Sequence, residues 1–126
     1  MKLAFLPLFV GIGLLFIALA MPLIRRRVKP NGMYGLRVSA TFADEWVWYE
    51  ANARSGRDLL YLGLLEIIIA LLLAALPLVP GLAYVLVNAA VLAGGAIGMC
   101  IVGIQRANRL LQERRLPESK PLATNT

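Results

Sequence analysis

The chain has 126 residues, 60% of them hydrophobic, with 13 lysines and arginines against 7 acidic residues, one cysteine and no histidine. A mean hydropathy of +0.73, concentrated in long apolar blocks, is too high for a soluble domain of this size and defines a small integral membrane protein. Without histidine, the lone Cys100 excludes a Cys/His zinc site and an intramolecular disulfide. The formal charge of +6 sits at the ends of the apolar blocks, where it orients a membrane protein, so direct nucleic-acid binding is not expected.

The first block, Leu3 to Ile24, is long enough to cross a hydrocarbon core of about 30 Å as a helix. A cleaved signal peptide is the rival reading, since Lys2, an apolar run and Ala18-Leu19-Ala20 imitate its three regions. The length of the run and the Arg25-Arg26-Arg27 that follows favour a membrane anchor. Pro22 is tolerated near the inner end of such a helix.

A polar connector, residues 25–58, comes next. Lys29-Pro30-Asn31-Gly32 is turn chemistry, with Asn-Gly able to supply φ > 0, and Gly35 offers a second point of close backbone approach. Thr41, followed three residues later by Asp44, imitates a capping box, and Gly56 is a natural stop, so a short interfacial helix is predicted over about 42–55. Phe42, Trp46, Tyr49 and Ala53 share one face of it, and Asp44, Trp48, Asn52 and Ser55 the other. Trp46 and Tyr49 read as interfacial anchors, and Tyr34 and Trp48 cluster with them near the expected interface. Trp48, Asn52 and Arg37 form the candidate recognition surface; a buried Arg37 paired with Asp44 or Glu45 as plain scaffolding fits the residues equally well. Glu50 and Arg54 make an i,i+4 pair worth about 0.2–0.5 kcal/mol.

The second span is expected at residues 59–79 and the third at 82–104, separated by the uncharged turn Pro77 to Gly81, which makes them an antiparallel hairpin. The third continues to about Arg115, where Leu116-Pro117 stops it, and 117–126 is a polar tail. Lysine and arginine crowd the connector and the C-terminal segment, which places both in the cytoplasm and the N-terminus and Pro-Gly turn outside.

Within the spans, Glu66 is the only carboxylate. It supports two readings, a structural hydrogen bond or a functional buried acid, and pairing the hairpin from its turn sets it level with Gly94 and Gly95. Ala90, Gly94 and Gly98 form a small-residue stripe of the kind that packs membrane helices, within the chain by default and in a homo-oligomer otherwise. Asn88 can hydrogen-bond across helices. No catalytic constellation is present: Ser39 and Lys29 lack a nucleophile's spacing, adjacent Asp44 and Glu45 diverge on a helix, and no phosphate loop follows a strand. No enzyme, cofactor or metal is expected.

The run Pro30-Asn31-Gly32-x-Tyr34-Gly35-Leu36-Arg37, then Thr41, then Asp44-Glu45-x-x-Trp48-Tyr49-x-x-Asn52 and Gly56 resembles the signature of the SdpI family of bacterial membrane proteins. That family usually reads Arg-Thr-Pro-x-Thr where this chain has Arg37-Val38-Ser39-Ala40-Thr41. The apolar blocks and the connector helix predict an all-α three-span bundle, and the resemblance implies that it sits in the bacterial cytoplasmic membrane and confers immunity to a membrane-active peptide toxin. It also implies, from the larger type member, a signalling role in which a cytoplasmic transcriptional repressor is held at the membrane. Two other classes compete. A small structural subunit or assembly factor would dock on a larger membrane complex through the glycine stripe. Ion or small-molecule transport through Glu66 would require oligomers, because three helices enclose little aqueous space.

Overall fold

The structure, a computed structural model, describes residues 1–116; the tail at 117–126 lies outside the described residues. It is all-α, with no strand among the described residues: α1 (Lys2–Ile24), α2 (Ser39–Ala43), α3 (Glu45–Ala75) and α4 (Gly81–Arg115). Three of these, α1, α3 and α4, are long and apolar enough to cross a membrane. A short helix does stand in the connector, but as α2 and not over 42–55.

The stretch expected to be a separate interfacial helix is instead the first third of α3, continuous with the second span. Gly56 does not stop it, because no proline or left-handed residue follows and Arg57-Asp58-Leu59 continue the helix. The glycine serves a crossing: a Cβ there would lie 2.9 Å from Leu23 Cβ and 3.1 Å from the Ala20 carbonyl of α1. The expected Thr41–Asp44 capping box is absent too. Asp44 is itself the N-cap of α3, accepting from the N–H groups of Trp46 (2.8 Å) and Val47 (3.3 Å). At its far end α3 closes at Ala75, short of the expected residue 79, and Leu76–Pro80 make the turn.

Central α3 lies between α1 and α4. It runs against α1 through paired glycines, a Cβ on Gly13 reaching within 2.7 Å of the Gly63 carbonyl and one on Gly63 within 2.7 Å of the Gly13 carbonyl. Against α4 it packs Leu62 onto Gly95 and Ser55 onto Gly103. Gly94 and Gly98 face open space and Ala90 is exposed, so the stripe predicted to pack within the chain does not. Helix period explains this: Gly95 and Gly103 lie on the inner face, one step round from the stripe.

Two apolar clusters close the ends. Ala40, Val47, Ala51, Ala107 and Leu110 bind the connector to α3 and α4. Phe9, Ala70 and Tyr84 close the other end, the Phe9 and Tyr84 rings edge to face at 5.8 Å. There Lys2 donates to the Leu76 carbonyl and Met1 lies against Gly81, so the N-terminus and the α3–α4 turn share one end of the bundle.

Glycines at a crossing and glycines on the open face should therefore respond differently. Gly56→Leu is expected to cost about 1–3 kcal/mol of stability by overpacking, whereas Gly94→Ala should move it by less than about 0.5 kcal/mol. Thermal unfolding of both variants in detergent micelles checks this.

Candidate functional site

The polar connector is not a loose loop but a folded cap over one end of the bundle. Asn31 builds its first turn through its side chain: Oδ1 accepts from the N–H groups of Met33 (2.9 Å) and Tyr34 (2.7 Å), and Nδ2 donates to the carbonyls of Lys29 (2.7 Å) and Tyr34 (3.1 Å). The positive φ expected at Asn31-Gly32 does not occur; it falls at Gly35, at 105°. Only glycine suits that position, since a Cβ there would also lie 2.6 Å from Asn52 Oδ1. Arg37 donates to the Gly32 carbonyl, closing the loop, while Pro30 and Gly32 are exposed on its rim.

Three side chains tie this loop to the spans. Tyr34 donates its hydroxyl to the Leu19 carbonyl of α1. Burial pushes the Tyr34 phenol up, so it keeps its donor proton at neutral pH. Trp48 Nε1 donates to the Val28 carbonyl at 2.8 Å, with the ring fully buried and tilted against Phe42. Asn52, also buried, accepts from Leu36 N–H at 2.5 Å and donates to the carbonyls of Trp48 (2.9 Å) and Leu36 (3.5 Å). Its amide thus meets both backbone groups of Leu36, as a neighbouring strand would. Thr41 shares its one proton between the Leu36 and Val38 carbonyls, both at 2.9 Å, and accepts from Val38 N–H at 3.0 Å.

These contacts overturn the recognition surface inferred from helical spacing. Trp48 and Asn52 point inward and Arg37 stands alone outside, because the face that carries hydrogen-bonding groups is the one with backbone to satisfy. Nor is Arg37 buried against Asp44 or Glu45. Asp44 pairs with Arg114 of α4 at 3.3 Å, and Glu45 is exposed in the first turn of α3, where the helix dipole favours it. Trp46 is exposed with the Arg114 guanidinium 5.4 Å over its ring. Half-buried Tyr49 joins Arg26, Trp46 and Glu50 around a shallow depression. Glu50 holds Arg54 at 3.0 Å and also Arg26 of the α1 terminus. Beneath the cap lies a cavity of about 200 Å³, lined by Leu23, Tyr34, Gly35, Leu36, Ser55, Leu59, Met99 and Cys100. The Ser55 hydroxyl is buried without a hydrogen-bond partner.

Deeper in the bundle, Glu66 is fully buried and neither of its oxygens has a hydrogen-bond partner among the described residues. It does not sit level with Gly94 and Gly95, because Leu62 occupies the Gly95 position and Gly94 faces outward. Tyr84, which the sequence alone does not single out, is buried in the same apolar cluster as Ala70, one turn along α3 from Glu66. Asn88, one turn from Tyr84, donates to the Tyr84 carbonyl at 2.7 Å and leaves its Oδ1 unpaired. A tyrosine four residues from an intramembrane asparagine was the available signal.

Fold and cap together define a multi-pass membrane protein whose first connector is a folded, polar lid on a three-helix bundle. The SdpI/YfhL protein family model matches residues 27–104, from the connector through the third span, and the chain belongs to that family. No curated protein and no solved structure matches it.

Two outcomes follow from the cap. Asn52→Ala leaves the Leu36 N–H without its partner, at a cost of about 1–3 kcal/mol, and is expected to open residues 28–38 to limited proteolysis in micelles while the spans stay protected. For Asp44, burial raises the carboxyl, but the N–H groups of Val47 and Trp46 and the Arg114 guanidinium outweigh it and hold it below the usual carboxylate range. A depressed folded-state value stabilises fully above the unfolded value of about 4 and is lost as pH falls through the folded one. Asp44→Asn, which keeps a capping acceptor, should therefore be less stable than the parent at pH 7, with the gap closing in acid; melting curves from pH 7 to 3 measure it.

Proposed function

We propose that this protein is an SdpI-like immunity protein of the bacterial cytoplasmic membrane, protecting its host against a membrane-active peptide toxin. The observation that carries the reading is the family match across the connector and both following spans. The charge distribution supports an orientation with the cap inside: Arg25, Arg26, Arg27, Lys29 and Arg37 lie at the cap end, Arg114 and Arg115 end α4 beside it, and Lys2 lies at the opposite end.

In this reading the toxin meets the outer half of the helices and alters their packing, and the cap follows. The cap is bound to all three spans, to α1 by Tyr34, to α3 by Trp48 and Asn52 and to α4 by Asp44. Its exposed apolar residues Met33, Phe42 and Trp46 are the surface on which a cytoplasmic repressor would be held. A second reading, a subunit of a larger membrane complex, is favoured by the open face of Ala90, Gly94 and Gly98, which could seat a partner helix. A stoichiometric partner co-purifying under gentle extraction without toxin would support it.

Expression in a host sensitive to a membrane-active peptide should raise survival on challenge; unchanged survival with the matched toxin sinks the immunity reading. Trp48→Ala should lower both membrane level and protection, because the cap unfolds. Met33→Asp should leave level and protection intact and abolish capture of the repressor at the membrane, read as lost induction in a transcriptional reporter.

A further inference from the structure

The immunity reading makes no use of the polar groups buried between the helices. Glu66, Tyr84 and Asn88 are each fully buried, and four of their oxygens, Glu66 Oε1 and Oε2, Tyr84 Oη and Asn88 Oδ1, have no hydrogen-bond partner among the described residues. Register brings them to neighbouring turns. Leu62 meets Gly95, and Ala70 shares an apolar cluster with Tyr84, so Tyr84 lies about one turn outward of Glu66, which is level with the turn of α4 that holds Asn88 and Leu92. That depth is about 14 Å along α3 from Ala75, well inside the apolar span, where no water meets an unpaired polar group.

The surroundings supply no counter-charge. Phe9 and Val10 of α1 are apolar here, and the only charged side chain of α1 is Lys2, which is engaged at the Leu76 carbonyl. On α4 the single titratable neighbour is Tyr84; on α3 the nearest charged residue is Asp58, two turns below and paired with Arg106 at 3.0 Å. A lone carboxylate so placed demands one positive charge, and one only. We propose that Glu66, Tyr84 and Asn88 form a binding site for a single monovalent cation, a proton or a sodium ion, at the junction of α1, α3 and α4. One carboxylate cannot neutralise a divalent ion, and all-oxygen donors suit a hard cation. In the proton form the Glu66 O–H donates to a neighbouring oxygen; in the sodium form the oxygens converge on the ion.

Thermal unfolding of the full chain in micelles tests this without any toxin, so its failure leaves the immunity reading standing. The parent and Glu66→Gln are compared from pH 5 to 9 in choline buffer, and at pH 8 with sodium chloride replacing choline chloride. A proton site lowers the parent's midpoint relative to Glu66→Gln by about 3 °C or more as pH rises, with no effect of sodium. A sodium site raises the parent's midpoint in sodium and not that of Glu66→Gln. Identical profiles for the two proteins overturn the proposal. Should Glu66→Gln not fold, carbodiimide labelling of the unaltered protein decides. An adduct at Glu66 that falls tenfold with sodium or with rising pH supports the site; an adduct indifferent to both, or none, overturns it.

Discussion

Every backbone group near the lipid must find its partner inside the protein, and in this chain the Asn52 amide meets that demand where it is hardest. The connector leaves α1, turns through residues without regular structure and must re-enter α3 against the ends of three apolar helices. Leu36 has no helical or strand neighbour there, and Asn52 stands in for one, taking its N–H and offering an N–H to its carbonyl. Gly35 has to be glycine so that the backbone can come this close. Trp48 and Tyr34 repeat the arrangement on the α1 side, each giving its polar hydrogen to a main-chain carbonyl. The cap is thus held by side chain to backbone bonds, which fix a path without needing a regular element.

Glycine divides the three spans by a similar rule. With lipid tails as apolar as leucine, helices gain little by hiding hydrocarbon from each other, and close approach decides which faces meet. Gly13, Gly56 and Gly63 let α1 lie directly on α3, and Gly95 and Gly103 receive Leu62, Leu36 and Ser55 at the α4 side. Gly94 and Gly98 carry no such contact, leaving a smooth face on α4 that the described residues do not cover.

The three spans were legible because apolar length is a strong signal that tertiary packing cannot reverse. The connector was harder. Gly56 looks like a stop in isolation, yet a helix ends where its chain gains by ending, and here the chain gained more by continuing under α1. Asp44 at the third place after Thr41 imitates a capping box, but the short aspartate reaches its own helix better than it reaches back. The face of Trp48 and Asn52 was read outward because polar residues usually face water. At a membrane interface the competing demand is the connector's backbone, which lies inward, and no local pattern reports where a neighbouring main chain runs. Among the signature residues, Asn31, Tyr34, Gly35, Arg37, Thr41, Asp44, Trp48 and Asn52 make the contacts that hold the cap, while Pro30, Gly32 and Glu45 are exposed. Their chemistry was visible in sequence while their direction was not.

The absence of a break at Gly56 also has a mechanical consequence. Asn52 and Glu66 lie on one helix, about four turns and about 21 Å apart, and because that separation is close to a whole number of turns, both face the interior. A hinge between them would absorb a rotation of the span before it reached the cap. In an unbroken α3 no such joint stands between Glu66 and the Asn52 contact with Leu36. The two polar features of the bundle, one buried among the spans and one sealing their end, thus stand on a single continuous helix.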